Sequence, residues 1–260
     1  MKLLLGHWKT KGGYAVSKDK NLVLLTSALY TNYGIYKTEE RIQQTLDTAK
    51  SARKYIPNSI IVLVDNSKVD VQQDDSDEIN ELIDSVDYYI DNSDDGDIKL
   101  FHETCDNYDV GKNVMEALGI FKTLNHIKSD KDMLKELNNV KRVFKLSGRY
   151  QVTEKFNIAN WDHAGKWVFK KAQPGWINPE VSKTTTLLQT RLWSFDPSLI
   201  DETIKIYDNI IKTMIELTGI GGYIDNEHAW SRFVPKDKLV ELETVGLQGN
   251  IAPNGMMIID

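Results

Sequence analysis

Cysteine is almost absent from this sequence, since Cys105 is the single one in 260 residues. An internal disulfide framework is therefore excluded, and a reducing compartment is indicated. Long apolar runs are also lacking, because no stretch approaches the roughly 20 apolar residues that a membrane-spanning helix needs. The apolar start, residues 1–6, is shorter than the apolar region of a signal peptide. We therefore expect a cytoplasmic protein without a membrane span.

Basic charge is in slight deficit, with 32 Lys and Arg residues against 38 Asp and Glu residues and a formal net charge of −6. This balance argues weakly against a protein that coats nucleic acid, although a local basic groove remains compatible with it. Hydrophobic residues make up 41% of the chain and charged residues 27%, which is typical of a globular protein. The length suits one large α/β domain, or a domain with an appendage.

The motifs of several common sites are missing. No Gly-x-Gly-x-x-Gly follows the first predicted strand, and neither Gly-x-x-x-x-Gly-Lys-Ser/Thr nor Gly-x-Ser-x-Gly occurs. The histidines include no pair at metal-ligand spacing. Two acidic runs, at 74–77 and 94–97, are candidate metal clusters, but carboxylates that follow one another in a loop rarely converge on one ion. We interpret both runs as solvated charge and predict no metal ligand.

The rest of the chain alternates strands with helices. Strands at 22–26 and 60–64 flank an amphipathic helix at 38–55, which makes a βαβ unit with a right-handed crossover. Because these strands are continuously apolar, we expect them to be buried on both faces. Further helices are predicted at 78–85, 112–127, 197–217 and 227–233, and further strands at 88–90, 143–146, 167–169, 186–188, near 240 and at 246–250.

These elements define the predicted fold class, which is α/β with a Rossmann-like, mostly parallel central sheet flanked by helices. Apolar runs on either side of Gly12-Gly13 predict an N-terminal hairpin at 3–16. We expect one domain over 1–260, with residues 1–20 as a hairpin appendage.

The segment 142–152 is the most informative part of the sequence. Its apolar run at 143–146 predicts a buried strand, which ends in Ser147, Gly148, Arg149 and Tyr150. Ligands of open α/β sheets bind beyond the carboxyl ends of the strands, where a glycine lets the backbone approach an anion and an arginine can hold phosphate oxygens. The alternative is a polar turn whose arginine pairs with a surface carboxylate.

Two further positions favour the same interpretation. Strand alternation places the side chain of Lys145 on the same side as that of Ser147. Gly111 and Lys112 stand at the predicted start of a helix, where free N–H groups attract anions. A glycine followed by a surface lysine is the alternative for this second position.

A second informative segment, at 221–230, brings three polar groups together after a glycine-rich bend. Asp225, Glu227 and His228 open a short predicted helix, and a carboxylate beside an imidazole suits general-base work on a hydroxyl group. The alternative is that Asp225 or Asn226 caps the helix, with Glu227 favoured by the helix dipole. The two interpretations do not exclude each other.

Taken in their order along the chain, these segments resemble a family of small GT-A-like glycosyltransferases found in phages, large viruses and bacteria. The resemblance covers roughly residues 22–255, and Lys145-x-Ser-Gly-Arg-Tyr150 is its most specific element. The other matching positions are 22–27, Arg41, Gln44, Thr45, 60–65, Lys112, Glu116, Asn226, Glu227, His228, 246–249, Ala252 and Pro253. A GT-A-like fold and a nucleotide-sugar donor, UDP-type in the first place, are what this resemblance implies.

The resemblance also implies roles for individual residues. Thr26, Ser27 and Asp65 would lie near the base and ribose, and Arg41 would support or contact the phosphates. Lys112, Lys145, Ser147, Gly148, Arg149 and Tyr150 complete the implied donor site. Glu227 would be the base of an inverting transfer, with Asp225 or His228 in its place as alternatives. Trp176, Arg191, Trp193 and Gln248 are the expected acceptor-binding residues. Trp161, Trp176 and Trp193 are candidates for stacking on a sugar or a base, and ordinary packing is the alternative for each tryptophan.

The sequence departs from the GT-A pattern at the central strand. This position usually carries Asp-x-Asp, which binds a divalent ion, whereas the present chain has Ser147, Gly148 and Arg149. Because a leaving nucleoside diphosphate still needs its charge neutralised, arginine and lysine would serve instead. We therefore expect a site that needs a divalent metal weakly or not at all.

The acceptor and the activity have alternatives. The acceptor would be a glycan or, in a phage, a hydroxymethylated or glycosylated cytosine in DNA, and the protein would then act in the host cytoplasm. A basic strip for DNA would draw on Lys141, Arg142, Lys145, Arg149 and Lys155, which strand alternation scatters. Other classes are a nucleotidyltransferase, which needs metal carboxylates, and a non-catalytic nucleotide-sugar or partner-binding domain of the same fold. The oligomeric state is not encoded in any pattern.

Overall fold

The computed structural model describes residues 20–30, 35–67, 76–105, 107–131, 133, 135, 139–251 and 255–260. The predicted N-terminal hairpin at 3–16 lies outside these residues, as do Asp74 and Asp75 of the first acidic run. Within the described ranges, no helix is both long and apolar enough to pass through a membrane.

Strands of three sheets make up the β-structure of the described residues. In chain order they are β1 (Lys20–Ser27), β2 (Ser59–Asp65), β3 (Tyr88–Asp91), β4 (Val140–Ser147), β5 (Tyr150–Val152), β6 (Trp167–Lys170), β7 (Gln173–Pro174), β8 (Thr186–Leu187), β9 (Leu192–Phe195), β10 (Leu239–Leu242), β11 (Leu247–Asn250) and β12 (Met257–Ile259). The central sheet has the order β3-β2-β1-β4-β9-β6-β10, and the other two are β12-β11-β5 and β7-β8. Strand β9 is antiparallel to β4 and β6, whereas the other neighbours in the central sheet are parallel.

Helices pack on both faces of the central sheet. They are α1 (Thr38–Tyr55), α2 (Asp77–Ser85), α3 (Gly96–Thr104), α4 (Tyr108–Ser129), α5 (Pro179–Ser182), α6 (Ile200–Gly219) and α7 (Asn226–Phe233). Alternation along β1 feeds two apolar clusters, since Val23 and Leu25 pack with Leu46 of α1, whereas Leu24 packs with residues of α4 and α6 such as Ile210. This arrangement confirms the predicted α/β fold class, with a mostly parallel central sheet flanked by helices.

Six of the elements given above were not predicted from the sequence, namely α3, α5, β5, β7, β9 and β12. Helix α3 begins where the second acidic run predicts a loop, because Asp95 caps it by accepting hydrogen bonds from the backbone N–H groups of Asp97 and Ile98 at 3.0 and 3.2 Å. The short strands β5 and β9 are also absent from the prediction. Strand β9 matters most, since it inserts antiparallel between β4 and β6 in the middle of the sheet.

The second acidic run is held by lysines. Asp94 pairs with Lys99 at 2.6 Å, and Lys122 of α4 pairs with Asp95 and Asp97 at 2.7 and 2.6 Å. These carboxylates therefore begin and anchor α3. In the part of the chain that the structure describes, no group of three or more His, Cys, Asp or Glu side chains is placed to hold a metal ion.

Arg142 ties β4 to the antiparallel strand. Its buried guanidinium donates to Ser194 Oγ of β9 at 2.7 Å, and to the carbonyl oxygens of His163 and Lys166 at 2.7 and 2.9 Å. Burial lowers the pKa of Arg142 to about 10, with Asp196 and Asp162 acting in the opposite direction. A guanidinium so enclosed cannot take part in a basic strip for DNA, as one alternative for the acceptor would require.

Replacing Arg142 by methionine should lower the free energy of unfolding by about 3 kcal/mol or more, because three buried oxygens lose their donor. Urea unfolding measures this change. The control is Lys141→Met, since the neighbouring ammonium makes an exposed ion pair with Asp162 at 2.8 Å, which contributes at most about 1 kcal/mol. Small and equal losses in both variants would show that the guanidinium does not hold the sheet together.

Candidate active site

A pocket opens at the carboxyl ends of β1 and β4, where Thr26 and Ser147 lie side by side in register. Seven of the ten predicted donor-binding residues line this pocket, namely Thr26, Ser27, Arg41, Lys112, Ser147, Gly148 and Arg149. Parallel strands bring their carboxyl ends to one edge of a sheet, which explains why residues distant in sequence meet here. Donor binding by these residues remains a prediction.

One wall of the pocket was not predicted from the sequence. It comes from α3, the residue that follows α3, and α4, and it includes Phe101, His102, Cys105, Met115 and Glu116. The acidic start of α3 gave no helical signal, so the first three of these residues had no predicted place. The spacing of Lys112 and Glu116 on α4 does indicate a shared helix face, because residues four apart are neighbours on a helix.

The turn after β4 fits closely against α1 and β1. The N–H group of Gly148 donates to the Thr26 carbonyl oxygen at 2.8 Å, and the Thr45 hydroxyl lies 3.2 Å from the Gly148 carbonyl oxygen and 3.0 Å from Ser27 Oγ. A Cβ atom at position 148 would lie 3.0 Å from that Thr26 oxygen, tighter than ordinary contacts. A glycine at position 148 therefore lets the turn approach β1 and set the pocket floor.

Two positive charges stand free at the pocket. Lys112 is exposed and Arg149 is half-buried, and neither side chain forms an ion pair within the described ranges. The predicted alternative, an arginine paired with a surface carboxylate, is therefore not what the structure has. Arg41 differs, since it is buried and donates to the Ala28 carbonyl oxygen at 2.8 Å, which supports the loop that follows β1.

Asp65 does not reach the pocket, contrary to the expectation that it lies near the base and ribose. Its carboxylate is fully buried and accepts hydrogen bonds from the backbone N–H groups of Leu29 and Ser67, both at 3.0 Å. Burial raises the pKa of Asp65 to about 6, although the hydrogen bonds from Ser67 and Leu29 and the charge of Arg41 oppose this shift. Asp65 shapes the pocket loop from behind.

Tyr150 is likewise buried outside the pocket. Its hydroxyl accepts a hydrogen bond from Arg191 Nε at 3.0 Å, and the guanidinium lies 5.4 Å from the ring centroid. The Arg191 carbonyl oxygen in turn accepts from the Ser147 N–H group at 2.9 Å. Arg191 and Tyr150 therefore brace the turn, which differs from their predicted roles in binding acceptor and donor.

Lys145 is the centre of a buried polar network that links the pocket to Glu227. It is 1% exposed, and its ammonium donates to the carboxylate of Glu116, to Ser147 Oγ at 2.6 Å and to the Thr190 carbonyl oxygen at 2.9 Å. The Thr190 hydroxyl donates to Glu227 Oε1 at 2.8 Å. Because Glu116 and Ser147 line the pocket, the network runs from the pocket wall to Glu227.

The three contacts of Lys145 use all three N–H groups of its ammonium. The expected position of Lys145 beside Ser147 is therefore found, but the side chain is engaged and does not face a donor as a free cation. The sequence analysis did not predict Thr190 as a member of the site, because no sequence pattern distinguishes it from any other threonine in a loop. Lys145 is a positioning residue in this arrangement.

The two carboxylates joined by this network have opposite electrostatic environments. Burial raises the pKa of Glu116, but the charges of Lys145, Lys112 and Arg149 outweigh it and hold that pKa below its ordinary value. Burial, followed by the negative charges of Asp225 and Glu116, raises the pKa of Glu227. A carboxylate with a raised pKa binds a proton more readily near neutral pH, as a general base requires.

Asp225 and His228 hold the fold around Glu227. His228 is fully buried, with Nδ1 2.6 Å from Asp225 Oδ1, and its Nε2 accepts from the N–H groups of Trp176 and Ile177 at 3.2 and 3.4 Å. Because backbone N–H groups only donate, Nε2 carries no proton and Nδ1 donates to Asp225. Asp225 also caps α7 by accepting from the His228 N–H group at 2.9 Å. Of the three predicted catalytic groups, Glu227 alone keeps a half-buried carboxylate that is not part of this pair.

The other predicted acceptor residues lie in different places. Trp193 is fully buried in the core and stacks on Phe169 at 5.0 Å, so it cannot contact an acceptor. Its burial follows from strand β9, which the sequence pattern did not predict. Gln248 donates to Gln151 Oε1 at 3.3 Å in the β11–β5 pair. Trp176 is 66% exposed and lies near the start of α7.

The end of β4 does not fit a divalent cation. Ser147, Gly148 and Arg149 offer one hydroxyl and a guanidinium, whose charge repels a cation, whereas Mg²⁺ and Ca²⁺ prefer carboxylate and carbonyl oxygens. The pocket carboxylate of Glu116 is already paired with Lys145. Metal independence of the site stays a prediction.

A comparison with family models and with curated proteins gives no match. Among solved structures, the chain is similar to 4-diphosphocytidyl-2C-methyl-D-erythritol synthase from Anaerococcus prevotii, at 15% identity over 88% of this chain and 92% of that one, with a TM-score of 0.40. It is also similar to the apo form of mouse xyloside xylosyltransferase 1, at 12% identity over 86% of this chain and 85% of that one, with a TM-score of 0.42. Similarities this low carry no information on activity.

Replacing Lys145 by methionine should lower the free energy of unfolding at neutral pH by about 3–5 kcal/mol, because the carboxylate of Glu116 loses its ion pair in a buried site. Adding Glu116→Gln should restore much of that loss, since the uncompensated charge is then gone. Urea unfolding of both single variants and the double variant measures the coupling. Lys205→Met, at an exposed lysine of α6, is the control, and purely additive losses at 145 and 116 would contradict the network.

The raised pKa of Asp65 predicts a defined pH dependence of stability. Between about pH 4 and pH 6, the folded protein holds a proton on Asp65 that the unfolded chain has released, so stability falls as the pH rises through this window. A shift from 3.8 to about 6 corresponds to about 3 kcal/mol. Asp65→Asn removes this contribution, so the difference in unfolding free energy between the two proteins should change across the window. A difference that is flat from pH 4 to pH 7 would refute the burial effect.

Proposed function

We propose that this protein is a glycosyltransferase that moves one sugar from a nucleotide-sugar to a hydroxyl group. The observation that carries the proposal is the pocket at the carboxyl ends of β1 and β4, with Lys112 and Arg149 at it, neither of which pairs with a carboxylate among the described residues. A diphosphate brings negative charge that such cations neutralise, and open α/β sheets bind nucleotides at this edge. The fold alone would not support this function, since one fold hosts many activities.

In the proposed reaction, the donor phosphates lie against Gly148 and Arg149. The sugar then extends towards Glu116 and Ser147, the two pocket residues that Lys145 and Thr190 link to Glu227. Glu227 takes the proton of the acceptor hydroxyl while that oxygen attacks the anomeric carbon of the donor. The bond from the anomeric carbon to the phosphate oxygen breaks, and its electron pair leaves with the nucleoside diphosphate. Arg149 and Lys112 stabilise the charge that develops there.

Glu227 suits the role of base for physical reasons. The Thr190 hydroxyl fixes one of its oxygens at 2.8 Å, and a fixed base needs less reorganisation during the transfer. Its raised pKa improves proton uptake near neutral pH. Asp225 and His228 contribute by holding the start of α7 in place.

A thermal-shift screen of UDP-sugars, other nucleotide-sugars and free nucleoside diphosphates tests this function. At least one nucleotide should raise the melting temperature, and Arg149→Ala should weaken its binding about 10- to 100-fold, because a charge-assisted hydrogen bond contributes about 1.5–3 kcal/mol. Chelation with EDTA should leave the shift unchanged, since the end of β4 does not fit a cation.

The matched control is Arg232→Ala, which removes an exposed guanidinium that lies 4.8 Å from the Phe233 ring centroid on α7. It should leave the nucleotide shift intact. No shift with any nucleotide would refute the donor site, and a shift that EDTA abolishes would refute metal independence. Binding without any transfer or hydrolysis of the nucleotide-sugar would favour a non-catalytic binding domain.

A further inference from the structure

Trp176 is unusual among the tryptophans that the structure describes. Trp161, Trp167, Trp193 and Trp230 are each fully buried, whereas Trp176 is 66% exposed. An indole buries more apolar surface than other side chains, so a fold gains stability by covering it. The indole of Trp176 is exposed to solvent, although the backbone of this residue is held by hydrogen bonds.

The backbone around Trp176 is fixed by the buried His228–Asp225 pair. The N–H groups of Trp176 and Ile177 both donate to His228 Nε2, and the imidazole stands edge-on to the indole at 5.4 Å and 89°. A Cβ atom at Gly175 would lie 2.9 Å from His228 Nε2, so a glycine is needed for this approach. The fold therefore presents a rigid, exposed aromatic surface.

This surface is connected to the helix that forms the pocket wall. Trp176 packs beside Tyr223 at 6.1 Å, and the Tyr223 hydroxyl accepts from Asn113 Nδ2 at 2.9 Å. Asn113 lies on α4 beside Lys112, and its Oδ1 also accepts from the N–H group of Asn226 at the start of α7 at 3.2 Å. Glu227 is the next residue. The aromatic pair, the predicted base and the pocket thus share α4 as a common support.

The charges that act on Tyr223 of this aromatic pair are negative. Burial and then the carboxylates of Asp225, Asp109 and Glu227 raise the pKa of Tyr223. A negative field disfavours a polyanion such as DNA, whose binding depends on basic contacts to phosphates. The basic strip that DNA would need is not formed either, since Arg142 and Lys145 are buried.

We propose that Trp176 is the stacking platform of the acceptor subsite and that the acceptor is an uncharged sugar ring. The face of the sugar ring that carries its C–H groups stacks on the indole, and one hydroxyl of the sugar points towards Glu227. A large, rigid aromatic face suits such a ligand, because stacking on it needs no charge and little loss of side-chain freedom. This inference rests on the proposed function, since it assigns the acceptor of that transfer.

Acrylamide quenching of tryptophan fluorescence reads this platform directly. In a Trp8→Phe background, Trp176 supplies the accessible fluorescence, because the other described tryptophans are buried. The probes are methyl glucoside, methyl galactoside, N-acetylglucosamine and cellobiose, each tested with and without the nucleotide that binds. At least one sugar should reduce the quenching several-fold. The proposal would be overturned if none of the four sugars reduced the quenching. It would also be overturned if a single-stranded oligonucleotide or choline reduced the quenching more than the sugars do.

Kinetics with the protecting sugar as acceptor give an independent test. Trp176→Ala should raise the acceptor KM about tenfold, in line with the loss of one aromatic stacking contact, and Trp176→Phe should recover part of the loss. Nucleotide binding should be unchanged in both variants. The control is Ile215→Ala, at a half-exposed apolar residue of α6, which should change neither parameter. An unchanged acceptor KM in Trp176→Ala would overturn the platform.

The outcomes separate this inference from the function on which it rests. Arg149-dependent nucleotide binding without sugar protection at Trp176 would remove the acceptor assignment and leave the donor site standing. Sugar protection without any nucleotide binding would refute the transferase, and with it the acceptor role of Trp176, in favour of a sugar-binding domain.

Discussion

The buried ammonium of Lys145 sets the geometry between the pocket and Glu227. A charge removed from water is costly unless each N–H group finds an acceptor. Lys145 finds its acceptors on α4, at the end of β4 and in the segment before β9. These three parts of the fold are fixed relative to one another because they share one ammonium. The pocket wall and the residue that orients Glu227 therefore cannot shift independently.

The same ammonium separates the charges of the site. It compensates Glu116, so that the exposed Lys112 and the half-buried Arg149 leave the pocket positive on balance. Around Glu227 and Tyr223, by contrast, carboxylates dominate. A positive region next to a negative one suits a reaction in which an anionic donor meets a neutral acceptor. The positive pocket attracts the anionic donor, and the negative region repels that donor but accepts an uncharged acceptor.

Much of the fold follows from local pattern, and much of the site does not. Continuous apolar runs predicted β1 and β2, and the bounds of α1 agree to the residue. The glycine after β4 predicted a backbone that approaches an anion, whereas the structure uses the Gly148 N–H group to bind the Thr26 carbonyl oxygen. The pattern cannot give Lys145 its partners, since Glu116 and Thr190 lie 29 and 45 residues away in sequence. The pattern also cannot show that the four residues of β9 around Trp193 join the sheet antiparallel to their neighbours. A short apolar segment does not indicate whether its strand runs parallel or antiparallel to the next one.

The antiparallel insertion of β9 has a consequence for the order in which the sheet assembles during synthesis. Both strands that flank β6 in the sheet, β9 and β10, follow it in the chain. As the ribosome releases the protein, β1 to β4 have all their mutual partners once residue 147 has emerged. Strand β6 must wait until residue 195 is free, and β10 later still. Because domains form from the N-terminal side during synthesis, the half of the sheet made of β1 to β4 can be complete while the segments that carry Trp176 and Glu227 are still being made.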